Sequence, residues 1–201
     1  MARTPHPARA LRAPLLALTL TATLAACSST ATPEAAAPPP KPTTTTEAPA
    51  ATTTDNTPTR VKIPSLGVDS SLLRLGLNTD QTVQVPPSDQ GMTAGWYVNS
   101  AVPGERGASV VIGHNNTRYG KAVFHDLQKI KKGADIAITG TNGKTTHFTV
   151  TTTETVSKKS FPTQKVYTPT PTPTLRLITC DGSMDPNGHP VDNLIVYATQ
   201  T

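Results

Sequence analysis

From residue 59 to the end of the chain at Thr201, short runs rich in Val, Ile, Leu and Thr recur between turn signals. This pattern constrains the fold more than any other feature. The runs are too short for stable helices, and branched side chains suit a pleated surface. Val61-Lys62-Ile63 begins a strand that Pro64 ends, because proline cannot donate to a ladder. Residues 108–112 are continuously apolar, as expected of a strand buried on both faces. Runs 134–139 and 146–151 flank Thr141-Asn142-Gly143-Lys144, and Asn-Gly between two strand-like runs is the strongest short hairpin signal. Residues 175–179 and 194–197 read as two further strands, and residues 122–127 as the one helical turn. About eight short strands in a domain of this size predict an all-β fold, a closed or partly open barrel.

What precedes the domain has a different character. Arg3, Arg9 and Arg12 give a positive start, and residues 13–26 are apolar apart from threonines and one proline. That stretch is short for a membrane span and suits the apolar core of an export signal. It ends in Leu24-Ala25-Ala26-Cys27, which resembles a bacterial lipoprotein signal with Cys27 as the lipidated first residue of the mature chain. Residues 1–27 are therefore read as a signal peptide with a lipobox, the alternative being an ordinary signal peptide with a chance Cys. Two acyl chains, at about 0.8 kcal/mol per buried methylene, would anchor the protein stably. Residues 28–58 are a Pro/Thr/Ala-rich linker that cannot form a core. As an extended spacer at about 3.1 Å per residue it reaches up to roughly 90 Å. A glycosylated stalk is the other reading.

The chain carries 18 Lys and Arg against 13 Asp and Glu, a net +5, with no basic run and few aromatic residues. This argues against a nucleic-acid footprint and fits a mild preference for an acidic cell surface. Only two cysteines occur. With Cys27 lipidated, Cys180 is the one thiol of an exported domain, the setting in which an unpaired Cys signals reactivity.

Two apolar strands run into reactive side chains. One is Val110-Val111-Ile112-Gly113-His114-Asn115, the other Leu175-Arg176-Leu177-Ile178-Thr179-Cys180-Asp181-Gly182. Strand ends fix the backbone while leaving side chains open to a substrate. Only a few per cent of an ordinary thiol is thiolate at neutral pH, so a neighbouring imidazole both activates it and protonates a departing amine. Taken alone, a Cys at a strand end is more often a small hydrophobe, and a lone His more often a structural hydrogen-bonder. His125 and His147 read as surface or edge residues. A zinc site from Cys180, His114 and His189 lacks paired ligand spacing, so no metal and no cofactor is predicted.

The region around Cys180 resembles the active-site strand of sortases, the transpeptidases that attach proteins to Gram-positive cell walls. The likeness continues in order through Ile63-Pro64-Ser65-Leu66-Gly67-Val68-Asp69, Val85-Pro86-Pro87, Ala94-Gly95-Trp96-Tyr97 and Pro103-Gly104-Glu105. It then takes in Ile112-Gly113-His114-Asn115, Val123-Phe124, Phe161-Pro162-Thr163 and Asp192-Asn193 followed by Val196-Tyr197-Ala198. It is most similar to the actinobacterial group called class F.

The resemblance implies a closed eight-stranded sortase-type β-barrel over residues 59–201. It implies Cys180 as nucleophile and His114 as general acid and base, acting on the Thr–Gly bond of LPXTG-like sorting signals through a thioester that an amine or water resolves. The amine would come from a peptidoglycan precursor or a pilin, at the extracellular face of the membrane. The family's Arg after the Cys is expected around residues 189–193, yet no Lys or Arg follows Cys180. Arg118, His189 and Arg176 are the possible stand-ins for an oxyanion or cation role. The missing Arg motivates a second reading, a catalytically degenerate lipoprotein that binds peptide or cell wall. An L,D-transpeptidase-like wall enzyme ranks third, since Asp181-Gly182 follows the Cys where that group carries Arg.

Overall fold

The computed structural model describes residues 56–201. Cys27, the export signal and most of the linker lie outside the described residues. Ten strands run in chain order: β1 (Pro58–Ile63), β2 (Val68–Leu75), β3 (Ala94–Tyr97), β4 (Gly107–Ile112), β5 (Asn116–Thr117), β6 (Gly120–Lys121), β7 (Asp135–Gly140), β8 (Thr145–Ser157), β9 (Pro173–Met184) and β10 (Pro190–Gln200). Eight of them close a barrel in the order β1-β2-β3-β4-β9-β10-β8-β7, with β7 returning to β1, while β5 and β6 form a separate two-stranded ribbon. Neighbours are antiparallel except β2 with β3 and β4 with β9. The closed eight-stranded all-β barrel is the architecture expected from the sequence.

Alternation along the strands builds two apolar layers. Inward side chains such as Val61, Ile63, Val111, Phe148, Leu177 and Val196 fill the barrel. Outward side chains of the central strands, among them Val110, Ile112, Ile178 and Ile195, make a second cluster. The second cluster is covered by Val166 of α1 (Thr163–Tyr167) and by Phe161 and Tyr167 around it. Covering both faces of β4 buries all six of its residues, which is the physical origin of the apolar run at 108–112. Each large side chain removed from water in this way contributes about 1.5–3 kcal/mol.

The hairpin between β7 and β8 turns through Asn142-Gly143, with Gly143 at φ 76° and the Lys144 N–H donating to Asn142 Oδ1 at 2.8 Å. Pro64 ends β1 and opens a 3₁₀ turn. Residues 122–127 do not form an α-turn. The Leu127 N–H donates to the Phe124 carbonyl and Ile130 to Leu127, so the segment runs as tight turns into a 3₁₀ helix at Leu127–Lys129. Its Val123, Phe124 and Leu127 are all buried, and burial on several sides favours the tighter winding over a one-faced helix.

Candidate active site

β4 stops at Ile112, paired with Ile178 of β9. One more bond, from Gly113 N–H to the Ile178 carbonyl, closes the ladder before the chain leaves the sheet. β9 continues for six residues beyond Ile178, paired only with β10. Cys180 is therefore not at a strand end, as the sequence suggested. It lies within β9, at the point where the strand loses its β4 neighbour, and its open flank is made by the departure of β4. Cys180 shares the outer face of the barrel with Ile178 and Arg176, two and four residues back.

His114 is placed by the same departure. Gly113 packs so closely on Phe124 and Val123 that a Cβ there would lie 2.6–2.8 Å from their side chains. The Phe124 N–H donates to the His114 carbonyl at 2.9 Å. The His114 Nε2 lies 2.7 Å from the Pro86 carbonyl. A carbonyl only accepts, so Nε2 carries the proton and Nδ1 is the nitrogen free to exchange one.

Cys180 and His114 line one groove of about 650 Å³, a volume suited to a peptide segment. Its walls are apolar: Val83 and Val85 from the loop after β2, Phe161 and Tyr167 from the segment over the outer face, and Ile112 and Ile178 from the sheet. Burial pushes the Tyr167 phenol above its ordinary pKa, so the ring edge stays neutral. The polar exceptions include Lys158, which no sequence motif marks, and Asn193, which the sequence marks only as part of the closing-strand motif. On its other flank Cys180 borders a cavity of about 70 Å³ shared with Asn115, His125, Gln128 and Asp181. His125 is thus not a plain surface residue; its Nδ1 is held by the Asn115 carbonyl and Asn116 Oδ1. His147 is an exposed edge residue, 3.0 Å from Asp135.

The stand-ins for the missing arginine are not brought to the groove. Arg118 is exposed, stacked over the Tyr119 ring and donating to its hydroxyl at 2.6 Å. His189 lies at the exposed tip of the β9–β10 hairpin, beside Asp185. Arg176 is buried, with its guanidinium 4.7 Å from the centre of the Tyr197 ring and one N–H donated to the Leu175 carbonyl. No carboxylate pairs with it among the described residues, and burial lowers its pKa from the usual guanidinium value. Among the described residues no three His, Cys, Asp or Glu side chains are grouped to hold a metal, and no helix is long and apolar enough to cross a membrane.

A closed barrel with a thiol and an imidazole in one rim groove has the parts of a cysteine acyl-transfer enzyme. The sortase-domain family model matches residues 61–201, and the chain belongs to the sortase family of cysteine transpeptidases. Solved structures agree on the fold. The lid mutant of sortase A from Corynebacterium diphtheriae is 23% identical at TM-score 0.55, covering 72% of this chain and 69% of that one. A Clostridium perfringens sortase D5 transpeptidase is 22% identical at TM-score 0.54, covering 72% and 79%. Sortase A of Listeria monocytogenes is 21% identical at TM-score 0.54, covering 73% and 88%. No curated protein sequence matches the chain.

Proposed function

We propose that this protein is a lipid-anchored cysteine transpeptidase or peptidase of the cell surface. It cleaves an LPXTG-like sorting signal between Thr and Gly and passes the acyl group to an amine or to water. The observation that carries this is the convergence of Cys180 and His114 in one apolar groove. The apolar walls suit the Leu and Pro of such a signal. The Cys180 thiolate attacks the Thr carbonyl carbon, the tetrahedral intermediate collapses, and the Gly amine leaves with a proton from His114 Nδ1. An incoming amine or water gives its proton back to His114 as it resolves the thioester. A class F-like assignment rests on the sequence motifs alone; the matching solved structures include sortases with class A, C and D names. A lipid at Cys27 would hold the domain in the cell-wall zone. The degenerate binding module remains a second reading, favoured by the absence of Lys or Arg after Cys180.

Intact mass spectrometry of full-length protein extracted from membranes and incubated with an LPXTG-type peptide tests the whole reading. The expected result is an acyl adduct lost in Cys180→Ala, on a chain already carrying diacylglyceryl at Cys27. Peptide binding with neither adduct nor cleavage would favour the binding module, and an unlipidated mature chain would remove the anchor.

A further inference from the structure

Acyl transfer through Cys180 generates an oxyanion, and among the described residues no arginine lines the groove to receive it. We propose that the side-chain amide of Asn193 is the oxyanion donor, a role that rests on the acyl-transfer reading above. Asn193 of β10 is the direct antiparallel partner of Cys180. Side chains so paired share a face with Cβ atoms about 4.5–5.5 Å apart. Both line the same groove, on the outer face where Ile195 and Tyr197 follow Asn193 along β10.

The register is fixed on both sides. Asn193 also pairs with Val156 of β8. Below it the ladder is irregular between Pro190 and Asp192, and Gly182 adopts φ 81° with Asp192 packed where its Cβ would be. The half-buried Asn193 amide makes no hydrogen bond within the described residues, so its N–H groups are free for a ligand. A donor must come within about 2.7–3.1 Å of the developing oxyanion. A short amide directly across the ladder spans that gap. Lys158, the one lysine or arginine lining the groove among the described residues, stands exposed on the 3₁₀ turn Lys158–Ser160, without that fixed placement.

In the step itself the thiolate adds to the carbonyl carbon, and the carbonyl π pair moves onto oxygen, where the Nδ2–H of Asn193 donates to it. Collapse restores the carbonyl and expels the leaving group, an amine taking its proton from His114.

The test separates this role from the substrate. Acylation of Cys180 in the full-length protein by p-nitrophenyl acetate passes through the same oxyanion, whereas alkylation by iodoacetamide displaces iodide with no oxyanion. Asn193→Ala should lower the acylation rate about 10²–10³-fold. Asn193→Leu, close in size and uncharged but lacking the donor, should lower it about as much. Both should be alkylated at the wild-type rate, with unchanged thermal unfolding. Acylation of both variants within about threefold of wild type would overturn the proposal, as would a parallel fall in alkylation or a loss confined to Lys158→Ala. Wild-type protein acylated by the ester but not by a sorting peptide would remove the substrate reading and leave the Asn193 result decisive.

Discussion

Arg176 offers a way to separate catalysis from architecture at this wall. It lies four residues before Cys180 on one strand, which at about 3.3 Å per residue places its Cα roughly 13 Å away. Its head group is held over Tyr197 and on the Leu175 carbonyl, and its Nε has no partner. Arg176→Met keeps an unbranched apolar stem. It gives up a desolvated cation–π contact of about 2 kcal/mol and a hydrogen bond from a charged donor of about 1.5–3 kcal/mol. It removes an unsatisfied buried donor costing about 1–3 kcal/mol and the several kcal/mol of desolvation that an unpaired charge carries. The opposing sums overlap, so the expected net change is within about 1.5 kcal/mol of zero. Arg176→Ala also deletes the buried stem, and should cost about 2–5 kcal/mol. Urea unfolding of both variants at unchanged m-value reads these differences. Acylation of Cys180 in the Met variant should stay within threefold of wild type. A folded Met variant slowed about a hundredfold or more would refute this reasoning, because it would mean the guanidinium serves the reacting oxygen.

Glu154 accepts from Lys165 at 2.5 Å and from the Tyr197 hydroxyl at 3.0 Å, tying α1 to β8 and β10. These donors, Lys165 first, hold its carboxyl below the usual value. The tie therefore stabilises above the ordinary carboxylate range and is lost as pH falls through the lower folded value. With Glu154 and Lys165 partly exposed, Glu154→Gln should cost about 0.2–1 kcal/mol near pH 7 in chemical unfolding, a difference that vanishes well below about pH 4. Gly113→Ala should cost about 1–3 kcal/mol through overpacking against Phe124. It should slow acylation about a hundredfold by displacing His114; a wild-type rate in this variant would show that His114 is not held by that contact.

Much of the barrel was legible because its signals are local. The doubly apolar run became β4, and Asn142-Gly143 turned the β7–β8 hairpin. β2 (Val68–Leu75) is not legible as a strand, since its Asp69-Ser70-Ser71 start breaks apolar alternation. Ser70 is nevertheless buried, its hydroxyl accepting from the Ala94 N–H and donating toward the Met92 carbonyl. The helix was misplaced for a related reason. Residues 122–127 carry apolar residues at helical spacing but are buried on several sides, whereas Thr163–Tyr167 is a five-residue segment containing the weak helix formers Thr163, Val166 and Tyr167 and is held by Val166 on the outer face. In both places tertiary packing overrode a local preference.

The site divides along the same line. A thiol and an imidazole following apolar runs could be read in one dimension. Which residue of β10 lies opposite Cys180 could not, because it depends on the length and bulge of the hairpin between them. The barrel interior is filled, so chemistry has to occur on the outer wall, and over β4, β9 and β10 that wall is covered by Phe161, Val166 and Tyr167 except where the groove opens. Ile178 belongs both to the cluster under this cover and to the lining of the groove. A larger side chain at Ile178 would extend the cover at the expense of the groove, so packing and access to Cys180 compete at this residue. The apolar surface left open beside Cys180 is what a non-binding barrel would have closed.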